Sequence, residues 1–314
     1  MARYRGRRRS YGGYGGYGGY RRRRNPRAIL KAVVVLAVVT VCVALIVQSQ
    51  RLQEAYAQVS QLQQQVASLQ TSGGTDAGGA DAAQSQPLDY QTLYPEMRVD
   101  HTGEFATDVE KAVYLTFDDG PSANTAAILD ALAARGQKAT FFVTGKNIAG
   151  NEALLQRIVN EGHALGIHGY SHDYAQTYAS VEAFLEDFHA AYQAVYEACG
   201  VYPTMFRFPG GSINAYNRAI YPQVIAEMLR RGFVYYDWNV SGGDADAGAL
   251  AATIQQTVTQ GVTQTSHPIV LLHDVADKAS TVEALPGILD ELTGLGYYSD
   301  RLTPTVRPVT FDYT

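Results

Sequence analysis

Residues 113–143 read VYLTFDDGPSANTAAILDALAARGQKATFFV, and this stretch decides the fold of the chain. Its first five residues, Val113 to Phe117, form a short apolar run typical of a buried strand. A helix is predicted next, because the apolar residues that follow are spaced to share one helix face: Ile128, Leu129 and Leu132. A second apolar run, Ala139 to Val143, predicts the next strand. The stretch therefore predicts one strand–helix–strand unit.

The same alternation continues over residues 88–314, with the regular core at about residues 110–302. Glu152 to Glu161 has the spacing of a further amphipathic helix. Short apolar runs that alternate with amphipathic helices are typical of an α/β fold built around a parallel sheet or barrel. The chain is 46% hydrophobic and 18% charged, which excludes a wholly disordered protein. Its two cysteines, Cys42 and Cys199, are too few for a disulfide framework.

Five of the apolar runs end in residues that can carry chemistry. The runs VYLTF, HALGI, TMFRF, FVYY and PIVLL are followed, in that order, by Asp118-Asp119, His168, Pro209-Gly210, Asp237 and His273-Asp274. Polar residues often begin loops, so one such ending alone means little. The carboxyl ends of barrel strands, however, meet on one face of the fold. The five endings together therefore predict one shared pocket.

Two histidines and two acids in this set favour a metal site. His168 and His172 are four residues apart in the sequence HGYSH, so both imidazoles can face one point from a helical turn or a tight loop. Two imidazoles and one carboxylate leave a coordination position open, which is the arrangement of a Zn²⁺ site that activates water. Asp118 and Asp119 are adjacent, so one can bind the metal while the other accepts a proton.

The order of the motifs resembles that of the polysaccharide deacetylases, the NodB-like carbohydrate esterases of family four. The motifs are TFDDGPS at 116–122, HGYSH at 168–172, FRFPGG at 206–211, YDW at 236–238 and LLH at 271–273. The resemblance implies a distorted, partly incomplete (β/α) barrel. It also implies hydrolysis of N-acetyl groups on polymers that contain N-acetylglucosamine, with Zn²⁺, Co²⁺ or another divalent transition metal as cofactor.

The resemblance assigns the metal ligands and the base to individual positions. Asp119, His168 and His172 correspond to the metal ligands. Asp118 corresponds to the general base, and Arg207 to the arginine that orients that base. These implied roles agree with the chemistry expected from the residue types alone.

The resemblance also implies how the leaving amine and the oxyanion are handled. His273 corresponds to the general acid, and Asp237 to the carboxylate that holds and tunes it. Gly210 corresponds to the residue whose backbone N–H binds the oxyanion. The chain departs from the family pattern at two positions: Gly169 stands where many members have Ser or Thr, and Gly210 where many have Tyr. Neither departure removes a ligand, but the second leaves the substrate preference open.

The charge distribution separates the first residues of the chain from the rest. Residues 1–31 contain ten Arg and one Lys and no acid, so the other 14 basic and 30 acidic residues leave a net charge of −16. Residues 28–47, AILKAVVVLAVVTVCVALIV, match the roughly 20 residues that cross a bilayer as a helix. The positive-inside rule then predicts a cytoplasmic tail at 1–27 and an extracellular catalytic domain.

The tail and the segments after the predicted span have their own patterns. The tail is predicted to be disordered, and its arginines and tyrosines fit either a topology signal or contact with nucleic acid or anionic lipid. Residues 48–71 have apolar residues three and four apart, which predicts a helical stalk, alone or as a coiled-coil homodimer. Residues 72–87 have the composition of a flexible linker.

These patterns together predict a single-pass cell-membrane enzyme that removes N-acetyl groups from peptidoglycan. An anchor and a stalk would hold the catalytic domain over a surface polymer, and no nucleic acid is expected as a partner of that domain. Two alternatives stay open on the sequence alone. One is a deacetylase of another glycan, such as poly-N-acetylglucosamine, chitin oligomers or xylan, and the other is a glycan-binding barrel without turnover.

Overall fold

A computed structural model describes residues 87–101 and 104–312, all of which lie in the compact unit Ser85–Thr314. The strands within these ranges are β1 (Ala112–Asp118), β2 (Thr140–Val143), β3 (Ala164–Ile167), β4 (Met205–Phe206), β5 (Val234–Tyr235), β6 (Val240–Ser241), β7 (Ile269–His273) and β8 (Tyr298–Ser299). The helices are α1 (Thr125–Ala133), α2 (Glu152–Asn160), α3 (Tyr174–Thr177), α4 (Val181–Cys199), α5 (Tyr221–Arg230), α6 (Ala251–Thr263) and α7 (Ala279–Gly294). Two short 3₁₀ turns, Asp89–Thr92 and Gly145–Asn147, complete the regular structure of this part of the chain.

The strands form one parallel sheet in the order β5-β4-β3-β2-β1-β7-β6, and β8 pairs with the beginning of β1. Within the described residues β5 and β6 do not pair, so the sheet is a curled half-barrel rather than a closed cylinder. The longest strand, β1, lies between β2 and β7. The prediction of an α/β fold around a parallel sheet is confirmed.

Side-chain alternation along β1 sorts its residues between two faces. Val113, Leu115 and Phe117 pack against the helices in the largest apolar cluster. Ala112 and Tyr114 pack in a separate cluster on the other face, with residues such as Phe142 and Tyr236. Because Asp118 has the same parity as Ala112 and Tyr114, the strand ends with this carboxylate on the inner face, only 2% exposed.

The helices cover the outer face of the sheet. The predicted apolar face of α1, made of Ile128, Leu129 and Leu132, is fully buried, which confirms the strand–helix–strand unit. Helix α4 begins at the capping Ser180, whose hydroxyl accepts a hydrogen bond from the N–H of Ala183, and ends at Gly200 in a left-handed conformation. An aromatic cluster around α4 fills the side of the barrel next to β4 and β5.

The predicted tail (1–27), span (28–47) and stalk (48–71) lie outside the described residues, as does the predicted linker except for its last residue. Within residues 87–101 and 104–312, no helix is both long enough and apolar enough to cross a bilayer.

Candidate active site

The carboxyl ends of β1, β3 and β7 carry the predicted metal ligands, base and acid. Asp118 and His273 are register partners on the neighbouring strands β1 and β7, and His168 directly follows β3. His172 follows in the same loop, whose Gly169 and Tyr170 carbonyls accept hydrogen bonds from the backbone that follows β2. The fold therefore gathers these side chains from separate parts of the chain at one end of the sheet.

Asp119, His168 and His172 form a group whose ligand atoms all lie within 4.8 Å of one another. The Asp119 Oδ1 atom is 3.1 Å from His172 Nε2 and 3.5 Å from His168 Nε2. Asp119 and His172 both adopt left-handed backbone conformations, with φ of 73° and 53°. Such conformations are costly for residues other than glycine, and they often persist where a functional site requires them.

The properties of these three side chains fit a divalent cation. The buried Asp119 Oδ1 has no hydrogen-bond donor, and a buried carboxylate oxygen without a partner is unfavourable. Burial by itself would raise the pKa of Asp119, but the imidazoles of His172 and His168 outweigh it and hold that pKa well below the usual value. Burial lowers the pKa of His168, which favours the neutral imidazole that a metal requires.

The other ring nitrogen of His168 is held by the backbone. His168 Nδ1 lies 2.9 Å from the carbonyl oxygen of Arg207, so Nε2 is left to face the ligand group. Both His172 and Asp119 are partly exposed and line a cleft of about 440 Å³, which also includes Lys146 and Asn147. The ligand group is therefore open on one side to a substrate.

Asp118 is oriented by a fully buried arginine. Arg207 donates through Nη1 to Asp118 Oδ1 at 2.9 Å and to the Thr116 hydroxyl at 2.6 Å. Its Nε and Nη2 donate to the carbonyl oxygens of Tyr236 and Asp237. This network leaves Asp118 Oδ2 on the side of His168, at 3.8 Å from its Nε2. Arg207 thus lies where the resemblance placed it, with its planar group fixed on three sides.

His273 is held by a carboxylate that the sequence analysis missed. Asp244 Oδ1 lies 2.9 Å from His273 Nδ1, and Asp244 Oδ2 accepts hydrogen bonds from the His273 N–H and the Thr281 hydroxyl. Burial lowers the pKa of His273, but the hydrogen bond and the charge of Asp244 reverse this effect, so the net pKa is raised. A raised pKa suits a histidine that must donate a proton.

The prediction that Asp237 holds His273 is wrong. The Asp237 carboxylate accepts hydrogen bonds from the N–H and hydroxyl of Ser212 and from the Phe311 N–H. It therefore fixes the loop after FRFPGG and the end of the described chain. Asp244 stands in the segment SGGDADAG after β6, which is the neighbour of β7. The available signal was an acid three residues after β6, the strand that pairs with the strand of His273.

Gly210 lies in the turn after β4, with a left-handed φ of 75°. Among the described residues none accepts a hydrogen bond from its N–H, whereas the next N–H, of Gly211, is bonded to the Phe208 carbonyl. The Gly210 N–H is thus free to donate to a substrate. Asp274 is buried and accepts hydrogen bonds from the hydroxyls of Ser122 and Thr125, so it braces the loop after β1.

A half-barrel with a His–His–Asp group, a buried acid and a histidine at one end defines a class of metal-dependent hydrolase. The family model described as polysaccharide deacetylase matches residues 106–229. The chain is 30% identical to a peptidoglycan-N-acetylglucosamine deacetylase of Bacillus cereus over 71% of this chain and 81% of that protein. The chain belongs to the polysaccharide deacetylase family, as the motifs predicted, and that family consists of metal-dependent hydrolytic deacetylases.

Solved structures agree with this assignment. The catalytic domain of a peptidoglycan N-acetylglucosamine deacetylase from Eubacterium rectale superposes with a TM-score of 0.64 at 33% identity, covering 67% of this chain and 97% of that one. A family 4 carbohydrate esterase from Streptomyces lividans, in complex with acetate, gives a TM-score of 0.54 at 30% identity, covering 66% of this chain and 100% of that one.

Proposed function

We propose that the chain removes N-acetyl groups from the N-acetylglucosamine residues of peptidoglycan. One observation carries this proposal: Asp118 and His273 lie on neighbouring strands and have different partners. Asp118 is hydrogen-bonded to Arg207, and His273 is hydrogen-bonded to Asp244. One group can accept a proton and the other can donate one, as amide hydrolysis requires. The names of the Bacillus cereus and Eubacterium rectale relatives support the choice of glycan.

In this proposal Asp119, His168 and His172 hold the divalent ion, for which Zn²⁺ and Co²⁺ are the candidates. When bound, the ion supplies Lewis acidity toward the acetyl carbonyl and toward water. Asp118 accepts the proton of the water that attacks the carbonyl carbon. The free Gly210 N–H donates a hydrogen bond to the carbonyl oxygen as negative charge develops there.

His273 completes the reaction. As the carbon–nitrogen bond breaks, protonated His273 donates its proton to the departing amine, since an amide nitrogen leaves poorly as an anion. Asp244 holds the ring by Nδ1, which leaves Nε2 free for that transfer. The products are acetate and a free amino group on the glycan.

The test is acetate release from purified peptidoglycan by the full-length chain. We expect release that stops when a chelator is added and returns when Zn²⁺ or Co²⁺ is restored. Parallel assays with chitin oligomers, poly-N-acetylglucosamine and acetylated xylan identify the preferred glycan. A higher rate on one of these glycans would make that glycan, rather than peptidoglycan, the substrate. If the chain binds a glycan but releases acetate from none of them, it is a glycan-binding barrel without turnover.

We infer from the sequence that the enzyme is anchored to the membrane with its catalytic domain outside the cell. The apolar run at 28–47 and the basic residues before it support this topology, and the apolar spacing at 48–71 supports a stalk that can pair two copies. Tags at each end of the chain test the topology: in intact protoplasts only the carboxyl-terminal tag should be accessible to protease. Protection of both tags would contradict it.

A further inference from the structure

Helix α3 brings to the candidate site an aromatic side chain to which the proposed mechanism assigns no role. The ring centroid of Tyr174 lies 5.1 Å from that of His172, one of the candidate metal ligands. A Cβ atom added to Gly210 would lie 3.3 Å from the Tyr174 hydroxyl oxygen and from two of its ring carbons. The Tyr174 ring therefore borders the space in which a side chain at position 210 would begin.

The position of Tyr174 is held from both ends of α3. The Asp173 carboxylate caps the helix by accepting hydrogen bonds from the N–H groups of Ala175 and Gln176. The buried Tyr178 hydroxyl donates to the carbonyl oxygen of Pro209 at 2.8 Å, which ties α3 to the turn that contains Gly210. Tyr174 is thus held between the HGYSH loop and the FRFPGG turn before any substrate binds.

A second tyrosine extends this aromatic surface toward solvent. Tyr216 packs edge-to-face on Tyr174 with ring centroids 5.4 Å apart, and it is 57% exposed. Its N–H donates to the side chain of Asn214, which in turn donates to the carbonyl oxygens of Pro209 and Gly211. The aromatic surface therefore runs from the candidate metal ligand His172 through Tyr174 to the exposed ring of Tyr216.

The chemistry of this surface fits a pyranose ring. Tyrosine presents a large apolar face and a polar hydroxyl at its tip. A pyranose has the matching features, since its C–H groups form apolar patches and its hydroxyls lie at the rim. His172 also lines the 440 Å³ cleft, and the tyrosines adjoin that cleft through His172 without lining it themselves.

We propose that Tyr174 and Tyr216 form a sugar-binding wall of the substrate groove, in which Tyr174 contacts the pyranose whose acetyl group is removed. The inference deepens the proposed function and depends on it for the identity of the sugar. In this proposal Tyr174 and Tyr216, which lie outside the five motifs, make the contact with the sugar that a side chain at position 210 would otherwise make. Tyr174 is then a substrate-binding residue, and its ring matters more than its hydroxyl.

The test is the affinity of the full-length chain for the tetramer of N-acetylglucosamine by titration calorimetry, in detergent with saturating Zn²⁺ and with Asp118→Asn in every variant compared, so that the tetramer is not hydrolysed during the titration. Tyr174→Ala should weaken binding about tenfold, the factor expected for one lost aromatic contact. Tyr174→Phe keeps the ring and should stay within about twofold of wild type, and Tyr216→Ala should fall between the two. Tyr196→Ala is the matched control, because Tyr196 is 42% exposed and stacks on Tyr202 at the far end of α4.

Two further measurements distinguish a binding wall from a support for His172. Hydrolysis of 4-nitrophenyl acetate, which has no sugar ring, should fall far less in Tyr174→Ala than tetramer affinity does, and so should the affinity for Zn²⁺. The proposal would be overturned by a loss of 4-nitrophenyl acetate hydrolysis, or of Zn²⁺ affinity, as large as the loss of tetramer affinity. Unchanged tetramer binding would also overturn it. If wild type binds the tetramer but releases no acetate from any glycan, the proposed function is wrong. The comparison of tetramer affinities still tests whether Tyr174 and Tyr216 bind the sugar.

Discussion

Asp118 and His273 differ in the partners that hold them, and this difference assigns their roles. Asp118 accepts a hydrogen bond from a fully buried arginine, which fixes the orientation of its carboxylate. His273 is paired with Asp244, whose charge favours the protonated imidazole. A carboxylate held by an arginine and an imidazole held by a carboxylate fit the roles of base and acid.

Asp118→Asn is expected to lower kcat by about 100- to 10,000-fold, the range for loss of a general base. The asparagine keeps the shape of the side chain but accepts no proton. Steady-state acetate release measures the effect, and Zn²⁺ titration checks that the ligand group is intact. Asp130→Asn is the control, since Asp130 is an exposed residue of α1 with a side chain 70% accessible. A loss of less than tenfold in Asp118→Asn would mean that another group takes the proton.

Asp244→Asn is expected to move the alkaline limb of the pH–rate profile to lower pH. The charge of Asp244 raises the pKa of His273, so the protonated acid persists to higher pH and activity is lost as pH rises through that pKa. Without the charge of Asp244, activity is lost at lower pH. Asp237→Asn should leave the position of that limb unchanged, because Asp237 contacts Ser212 and Phe311 instead. The opposite pattern would restore Asp237 as the partner of His273.

The HGYSH loop between β3 and α3 is held in part by a carboxylate of α4. Asp187, on α4, accepts hydrogen bonds from the N–H groups of Tyr170 and Ser171 at 2.8 and 2.9 Å. Gly169 allows this approach: its φ is 76°, and a Cβ atom there would lie 2.7 Å from Asp187 Oδ2. The glycine that departs from the family pattern is therefore part of how this chain holds the loop of its two histidines.

Gly169→Ala is expected to destabilise the domain by about 1–3 kcal/mol, through the left-handed backbone and the contact with Asp187. It should also weaken the affinity for Zn²⁺, because His168 and His172 flank the displaced segment. Gly200→Ala is a matched control: its φ is 73°, but a Cβ atom there meets nothing within 4 Å. Thermal unfolding and Zn²⁺ titration measure both variants. Equal Zn²⁺ affinities in the two would show that the Asp187 contact does not set the loop.

For the whole molecule, the segment that precedes the barrel is fastened by a buried ion pair. Arg231, 2% exposed, donates to the carbonyl oxygens of Tyr94 and Leu93 and to the carboxylate of Glu227, which is 1% exposed. The N–H of Val99 donates to the Arg231 carbonyl in the same region. The segment that leads into the catalytic domain is thus part of its folded structure.

Arg231→Ala is expected to lower the free energy of unfolding by about 1–3 kcal/mol, because the carbonyl oxygens of Leu93 and Tyr94 lose their donor, while Glu227 keeps its pair with Arg230. It should also expose residues 88–99 to limited proteolysis. Arg135→Ala, which removes an exposed pair with Asp290, should change the melting temperature little. Protection of residues 88–99 in Arg231→Ala would show that other contacts hold the segment.

The sequence by itself determined the parallel α/β architecture, the family, and the strand ends at which Asp118, His168 and His273 lie. These features follow from local pattern, because side-chain alternation and helical spacing are properties of neighbouring residues. The predicted span, stalk and linker stay predictions. Only the tertiary structure decided that Asp244 rather than Asp237 reaches His273, and that Tyr174 lies against Gly210. Both contacts join residues about thirty or more positions apart through loops, whose paths are set by packing across the fold rather than by any local repeat.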